Sequence, residues 1–131
     1  GRLDFMSEGL LLFTNNGDFS RNLELPSKGY ERIYRVCLRG QIKQVDVEKI
    51  NKGIRINNVN YDKVKIKIDK LNINFTWLII KLTEGKNREI RNICKYFSWQ
   101  IVKLIRIQYG PYKLGNIEEG QIEEIKVIKY A

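Results

Sequence analysis

Apolar and polar positions follow two rhythms along this chain. Period two is clearest at residues 62–70, DKVKIKIDK, where Val64, Ile66 and Ile68 face one way and Lys63, Lys65 and Lys67 the other. Residues 75–82, FTWLIIKL, follow after a short polar break at 71–74, which predicts an antiparallel hairpin. Residues 31–39, ERIYRVCLR, alternate in the same way, with Tyr34, Val36 and Leu38 on one face, Ile33, Arg35 and Cys37 on the other, and Gly40 closing the strand. The unbroken run Gly9-Leu10-Leu11-Leu12-Phe13 ahead of the turn signal Asn15-Asn16-Gly17 predicts a core strand over 9–14, fed by a loop that carries Asp4. Residues 101–107, IVKLIRI, predict another buried strand, ended by Tyr109-Gly110-Pro111. Turns at 114–116 and 119–120 then lead to a short terminal strand over 121–128.

Helical spacing appears between these runs. Asp18 is placed to cap a short helix carrying Phe19, Asn22, Leu23 and Leu25, with Pro26 as its stop. Val45, Val47 and Ile50 predict a helix over 44–51 closed at Gly53, and residues 54–56 a brief strand before the Asn57-Asn58 turn. Ile90, Ile93, Cys94 and Phe97 fall at i, i+3, i+4 and i+7, one buried stripe of a helix whose other face carries Arg88, Arg91 and Lys95.

Composition narrows the chemistry. The 131 residues suit one domain, with no repeat, linker or low-complexity stretch, and 24 Lys and Arg against 15 Asp and Glu give a formal charge of +9. That charge points to an anionic partner, nucleic acid before others, although a Lys-, Asn- and Ile-rich chain also fits a passive basic surface. With no His, a His general base, a His metal ligand and a Ser-His triad are all excluded. Cys37 and Cys94 lack the spacing of a zinc site and read as buried free thiols of a reducing, cytoplasmic setting. The apolar runs are too short for a membrane span, and the N-terminal residues lack the layout of a secretory signal.

Three stretches carry a resemblance. GRLDFMSEGLLLFTNNGDF at the start, ERIYRVCLRG at 31–40 and TEGKNREIRNICKYFSWQIVKLIRIQYGP from Thr83 onward resemble, in order and spacing, the motifs of the RsuA-like family of ribosomal RNA pseudouridine synthases. The variant LIRIQYG lies closer to members acting on large-subunit (23S) RNA. The resemblance covers nearly the whole chain and is weakest over 41–74. It implies an α+β pseudouridine synthase catalytic fold, a mostly antiparallel mixed sheet with short helices packed on it. It further implies an isomerase of uridine in ribosomal RNA that needs no cofactor and no metal.

Its residue assignments are equally specific. By resemblance Asp4 is the nucleophile, Tyr34 lines the site against the base, and Arg91 salt-bridges Asp4; a guanidinium beside a carboxylate favours its ionised form. Arg2, Lys86, Arg88 and Arg106 are the candidate RNA-phosphate contacts, Arg2 equally a brace for the loop. Read alone, Asp4 is a turn-capping carboxylate, Tyr34 a strand aromatic and the helix cations a solvated face.

Two departures are visible. Asn92 stands where most members have a second Arg. The chain also begins at the GRLD motif, ahead of which family members carry an S4-type RNA-binding domain and further strands. Residues 1–131 are therefore expected to be an N-terminally truncated catalytic domain with an exposed sheet edge open to self-association. A binding-only remnant and a structural ribosome-associated protein stay open as alternatives.

Overall fold

The alternating segments become the strands of one mixed sheet. The computed structural model describes residues 2–4, 6–25, 28–86 and 88–128. Along the chain they form β1 (Glu8–Gly9), α1 (Gly17–Glu24), β2 (Arg32–Arg39), α2 (Gln44–Asn51), β3 (Ile54–Ile56), β4 (Val59–Tyr61), β5 (Val64–Leu71), β6 (Phe75–Leu82), α3 (Glu89–Tyr96), β7 (Ile101–Tyr109) and β8 (Tyr112–Lys113). The main sheet runs β1-β7-β2-β6-β5, with β8 also on β7, and β3 and β4 form a separate hairpin. Among the described residues only β1 against β7 is parallel; the other pairs are antiparallel.

The period-two pattern explains which face is covered. Tyr34 lies opposite Ile80, which lies opposite Ile66, and Val36 opposite Leu78, which lies opposite Ile68. The inward positions of β2, β5 and β6 thus align in rows, and Val47 and Ile50 of α2, Ile90, Ile93 and Cys94 of α3, and Ile56 and Tyr61 of the small hairpin pack onto them. Val45, expected beside Val47 and Ile50, is exposed instead. Asn51 clamps α2 to β5, its side chain accepting from the Ile66 N–H at 2.7 Å and donating to the Ile66 carbonyl at 2.8 Å. A second cluster, Leu10, Leu23, Tyr109 and Tyr112, seats α1 beside the end of β7.

The predicted turns are built as their residues demand. Asn57 and Asn58 have φ of 50° and 65°, the left-handed pair that joins a two-residue hairpin, so the brief strand at 54–56 gains a partner in β4. Between β5 and β6 the Asn72 side chain accepts from the N–H groups of Asn74 and Phe75 at 2.9 and 2.8 Å.

Other expectations are corrected. Residues 9–14 are not a core strand: pairing with β7 stops at Gly9, and among the following residues Leu10 is buried while Phe13 is 81% exposed. The reason lies downstream, because β8 pairs with Gln108 and Tyr109 and so occupies the edge of β7 onto which a longer β1 would have grown. The cap of α1 is Asn16, whose side chain accepts from the Phe19 N–H at 3.1 Å, with Asp18 in the first turn. Residues 121–128 are exposed and form no regular strand, and the short β8 takes the place on the sheet instead. The stop at Pro26 lies outside the described residues.

Candidate active site

Asp4 is delivered by a short segment that is fastened to β7 twice. The Leu10 N–H donates to the Arg106 carbonyl at 2.8 Å, and the Arg106 side chain returns a bond from Nε to the Leu10 carbonyl at 3.0 Å. A second Arg106 nitrogen lies 3.5 Å from the Arg2 carbonyl. Gly9 makes the approach feasible. Its φ is +113°, and a Cβ there would stand 2.2 Å from the Arg106 carbonyl oxygen, inside van der Waals contact. Between these anchors the Ser7 N–H closes a turn on the Asp4 carbonyl at 3.0 Å.

α3 supplies the opposing charge. Arg91 Nε donates to Asp4 Oδ2 at 2.8 Å, and its Nη2 lies 3.4 Å from Ser7 Oγ. Arg88, just ahead of the helix, places Nη1 3.2 Å from both Asp4 oxygens. The two cations differ in setting: the Arg91 side chain is 19% exposed and that of Arg88 49%. Arg88 holds a left-handed conformation, φ 51° and ψ 35°, which costs a non-glycine residue about 1–2 kcal/mol and turns the chain into the helix.

These groups line a cleft of about 580 Å³ where the segment ahead of β1 meets β2, β7 and α3. Tyr34 of β2 opens onto it beside Leu82 and Leu104, and its cross-strand partner on β7 is Arg106. Buried Tyr109 backs the cleft, accepting from Arg32 Nη2 at 2.9 Å and donating to the Leu23 carbonyl at 2.9 Å, with the guanidiniums of Arg32 and Arg106 4.8 and 5.0 Å from its ring centre. On the floor, Glu89 of α3 is 2% exposed, and burial first, then its hydrogen bond and charge repulsion with Glu84, push its carboxyl up to about 8. Burial likewise pushes the Cys94 thiol up to about 12, so it stays an inert core group. Among the described residues no group of three His, Cys, Asp or Glu side chains could hold a metal ion.

Sequence reasoning picked out seven residues for this site, and all seven line the one cleft. Asp4 and Arg91 are in contact, and Tyr34 shares their cavity. Arg2 is exposed at the mouth. Arg88, expected as a phosphate contact, is also a partner of Asp4. Lys86 is engaged by the protein, 3.2 Å from Glu84 Oε2, bonded to the Asn60 carbonyl and 5.6 Å from the Tyr61 ring centre. Arg106 departs furthest from its expected place. At 2% exposure, bound to main-chain carbonyls and stacked on Tyr109, it braces the Asp4 segment and is no surface contact for a phosphate. Arg32, Tyr109 and the Glu84–Glu89 pair were not foreseen, since each gains its place from a neighbour remote in sequence or from burial that local pattern does not report.

Comparison with known proteins bears on this geometry. The sequence model of the RNA pseudouridylate synthase family matches residues 1–96. A protein of Rickettsia typhi named as an uncharacterized RNA pseudouridine synthase is 43% identical over 131 residues, covering 98% of this chain and 54% of that protein. The ribosomal large subunit pseudouridine synthase B of Haemophilus influenzae is 34% identical over 137 residues, covering 98% of this chain and 38% of that protein. A crystal structure of a pseudouridylate synthase superposes with a TM-score of 0.78 over 92% of this chain and 52% of that one, at 24% identity, a likeness of fold. The chain spans about half the length of the Rickettsia relatives it matches.

Proposed function

The chain belongs to the RNA pseudouridylate synthase family, and from that membership we propose that it is the catalytic part of an enzyme isomerising uridine to pseudouridine in ribosomal RNA, large-subunit RNA in particular, with Asp4 as nucleophile. The observation that carries this reading is a carboxylate held by two guanidiniums, at 2.8 and 3.2 Å, at a cleft that also contains a tyrosine ring. Relatives named for the large subunit support the choice of RNA.

The reaction breaks the N1–C1′ bond of uridine, turns the base and joins C5 to C1′, while C5 loses a proton and N1 gains one. Atoms balance with no electron gained or lost, so the protein has to supply a nucleophile, a countercharge and a surface for the loose base. Asp4 is the nucleophile, and Arg91 fixes its orientation. Tyr34 is the ring against which the base lies. Arg2 and the exposed part of Arg88 meet phosphates of the flanking RNA, and Arg106 holds the loop from beneath. A uridine drawn from structured RNA loses its stacking, about a few kcal/mol, which phosphate contacts offset.

Tritium release from C5-labelled uridine in ribosomal RNA tests the assignment. Release by the wild-type chain and its loss in Asp4→Asn, by about a thousandfold or more, is the expected outcome, with RNA affinity nearly unchanged because no phosphate contact is removed. Wild-type turnover by Asp4→Asn would refute the catalytic role. Equal RNA binding by both chains with release by neither would favour a binding-only protein of the same fold.

A further inference from the structure

The cationic face of α3 runs on past the cleft. Arg88, Arg91 and Lys95 share that face; the first two meet Asp4, while the exposed Lys95 does not enter the reaction as described. Arg88 and Arg91 also line a second cavity, of about 470 Å³, together with Lys95, Ser98, Trp99 and Gln100. The two cavities therefore adjoin at the guanidiniums that hold Asp4. Among the described residues no Asp or Glu lines the second one.

Trp99 is fixed at the far end of this surface by the way the helix stops. The Trp99 N–H donates to the Cys94 carbonyl at 2.8 Å and the Ser98 N–H to the Lys95 carbonyl at 3.1 Å. These are the paired bonds of a helix closed by a left-handed residue, here Ser98 at φ 58°. The indole stacks on Phe97, ring centres 5.0 Å apart and planes 23° from parallel, and both rings pack on the edge of the core. Tyr96, 57% exposed, meets Phe97 edge-on at 5.0 Å. The Trp99 ring is thus held on one side and remains partly open to the cavity, a platform on which a base can stack without first ordering the side chain.

We infer that a nucleotide next to the target uridine lies along α3, its phosphate between Arg88 and Lys95 and its base on Trp99. The inference rests on the proposed function for the identity of the RNA and extends that site. Two observations favour RNA as the occupant: the cavity is lined by cations without acids, and it continues from the cleft at Arg88 and Arg91. Lys95 stands about 10 Å along the helix from Arg88, so the row offers a phosphate a second cation beyond the one shared with Asp4. The polarity of α3 orders the contacts. Its carbonyl end disfavours an anion, so an uncharged base suits the Trp99 end while the phosphate keeps to the cations on the flank. Every base has a π-face, so the surface adds affinity without reading sequence.

The test uses the full chain carrying Trp77→Phe, which leaves Trp99 as its only indole. Single-stranded oligouridylate of about eight nucleotides is titrated in, with tryptophan emission and filter binding followed together. Trp99 emission is expected to be quenched in step with the RNA retained on the filter. Lys95→Gln should weaken binding roughly threefold and lower the salt slope by about 0.7, the share of one phosphate contact. Trp99→Leu keeps an apolar side chain without a stacking face and should weaken binding about tenfold, and Trp99→Tyr should restore most of it. With ribosomal RNA as substrate, the loss in Trp99→Leu should lie in KM rather than in kcat. Lys95 is exposed, so its variant carries the test even where Trp99→Leu does not fold. Emission that ignores bound RNA, no binding of the oligouridylate, or a salt slope unchanged by Lys95→Gln overturns the inference. Emission that follows protein concentration instead of RNA assigns the surface to a second copy and overturns it as well. Failure of the enzymatic reading shows elsewhere, as normal turnover in Asp4→Asn, and leaves the quenching by oligouridylate in place.

Discussion

At the scale of single residues, the two cations on Asp4 do different work because they differ in burial. Arg91 bonds one carboxylate oxygen at 2.8 Å from a largely covered position, whereas Arg88 straddles both oxygens at 3.2 Å with half its side chain in solvent. Solvent screens the outer pair and leaves the inner one directional. Arg91→Ala is therefore expected to slow turnover roughly a hundredfold, the scale of losing one preorganised donor, and to cost about 1 kcal/mol in urea unfolding. Arg88→Ala should slow it less than about tenfold, because the inner bond survives. Equal losses in single-turnover assays would show that the exposure difference has no catalytic meaning. The motif resemblance separates the two residues, Arg91 as the partner of Asp4 and Arg88 as a phosphate contact, and only the packing of the Asp4 segment shows that Arg88 reaches Asp4 as well.

The element that places Asp4 is one of the two shortest in the sheet. β1 is two residues long, yet it fixes Asp4, because Gly9 lets the backbone touch β7 and Arg106 then bonds back to Leu10. Gly9→Ala places a methyl group on the Arg106 carbonyl at a φ that L-residues avoid. The segment before it should come loose while β2, β5, β6 and β7 stay paired. Expected outcomes are nearly unchanged far-UV circular dichroism, faster proteolytic cutting ahead of residue 17, and loss of most turnover. Intact activity in this variant would mean that the contact with β7 does not hold Asp4. The run of leucines after Gly9 announces burial but cannot say against what. Its pairing was settled by β8, about a hundred residues later, which had already taken the edge of β7.

Across the whole molecule, the formal charge of +9 is the feature that RNA would meet first. Several of the cations are committed internally: Arg106 to carbonyls, Arg91 to Asp4, Lys86 to Glu84, and Arg35 above the Trp77 ring at 4.5 Å. The charge available to phosphates is smaller than the formal total, so affinity should fall only about tenfold to thirtyfold between about 50 and about 200 mM salt, the response expected for roughly three single-stranded phosphate contacts. A slope several times steeper, measured by filter binding, would assign the internally paired cations to RNA as well.

The sequence by itself determined the long strands β2, β5, β6 and β7 and named the candidates for the site. Strict alternation in residues 62–70 and 75–82 and helical spacing from Ile90 to Phe97 are local signals, since each states which side of one element is apolar. Asp4, Tyr34 and Arg91 could be named as candidates because they sit in motifs that resemble those of a family, and such motifs specify residue types without coordinates; the structure brings the three to one cleft. Tertiary structure alone decided that Arg106 is a buried brace, that residues 9–14 leave the sheet, and that Glu89 is buried at the head of α3. Each of these depends on burial and on partners brought in by chain folding, and the energy of a charged group is set by what surrounds it in space rather than by its neighbours in sequence.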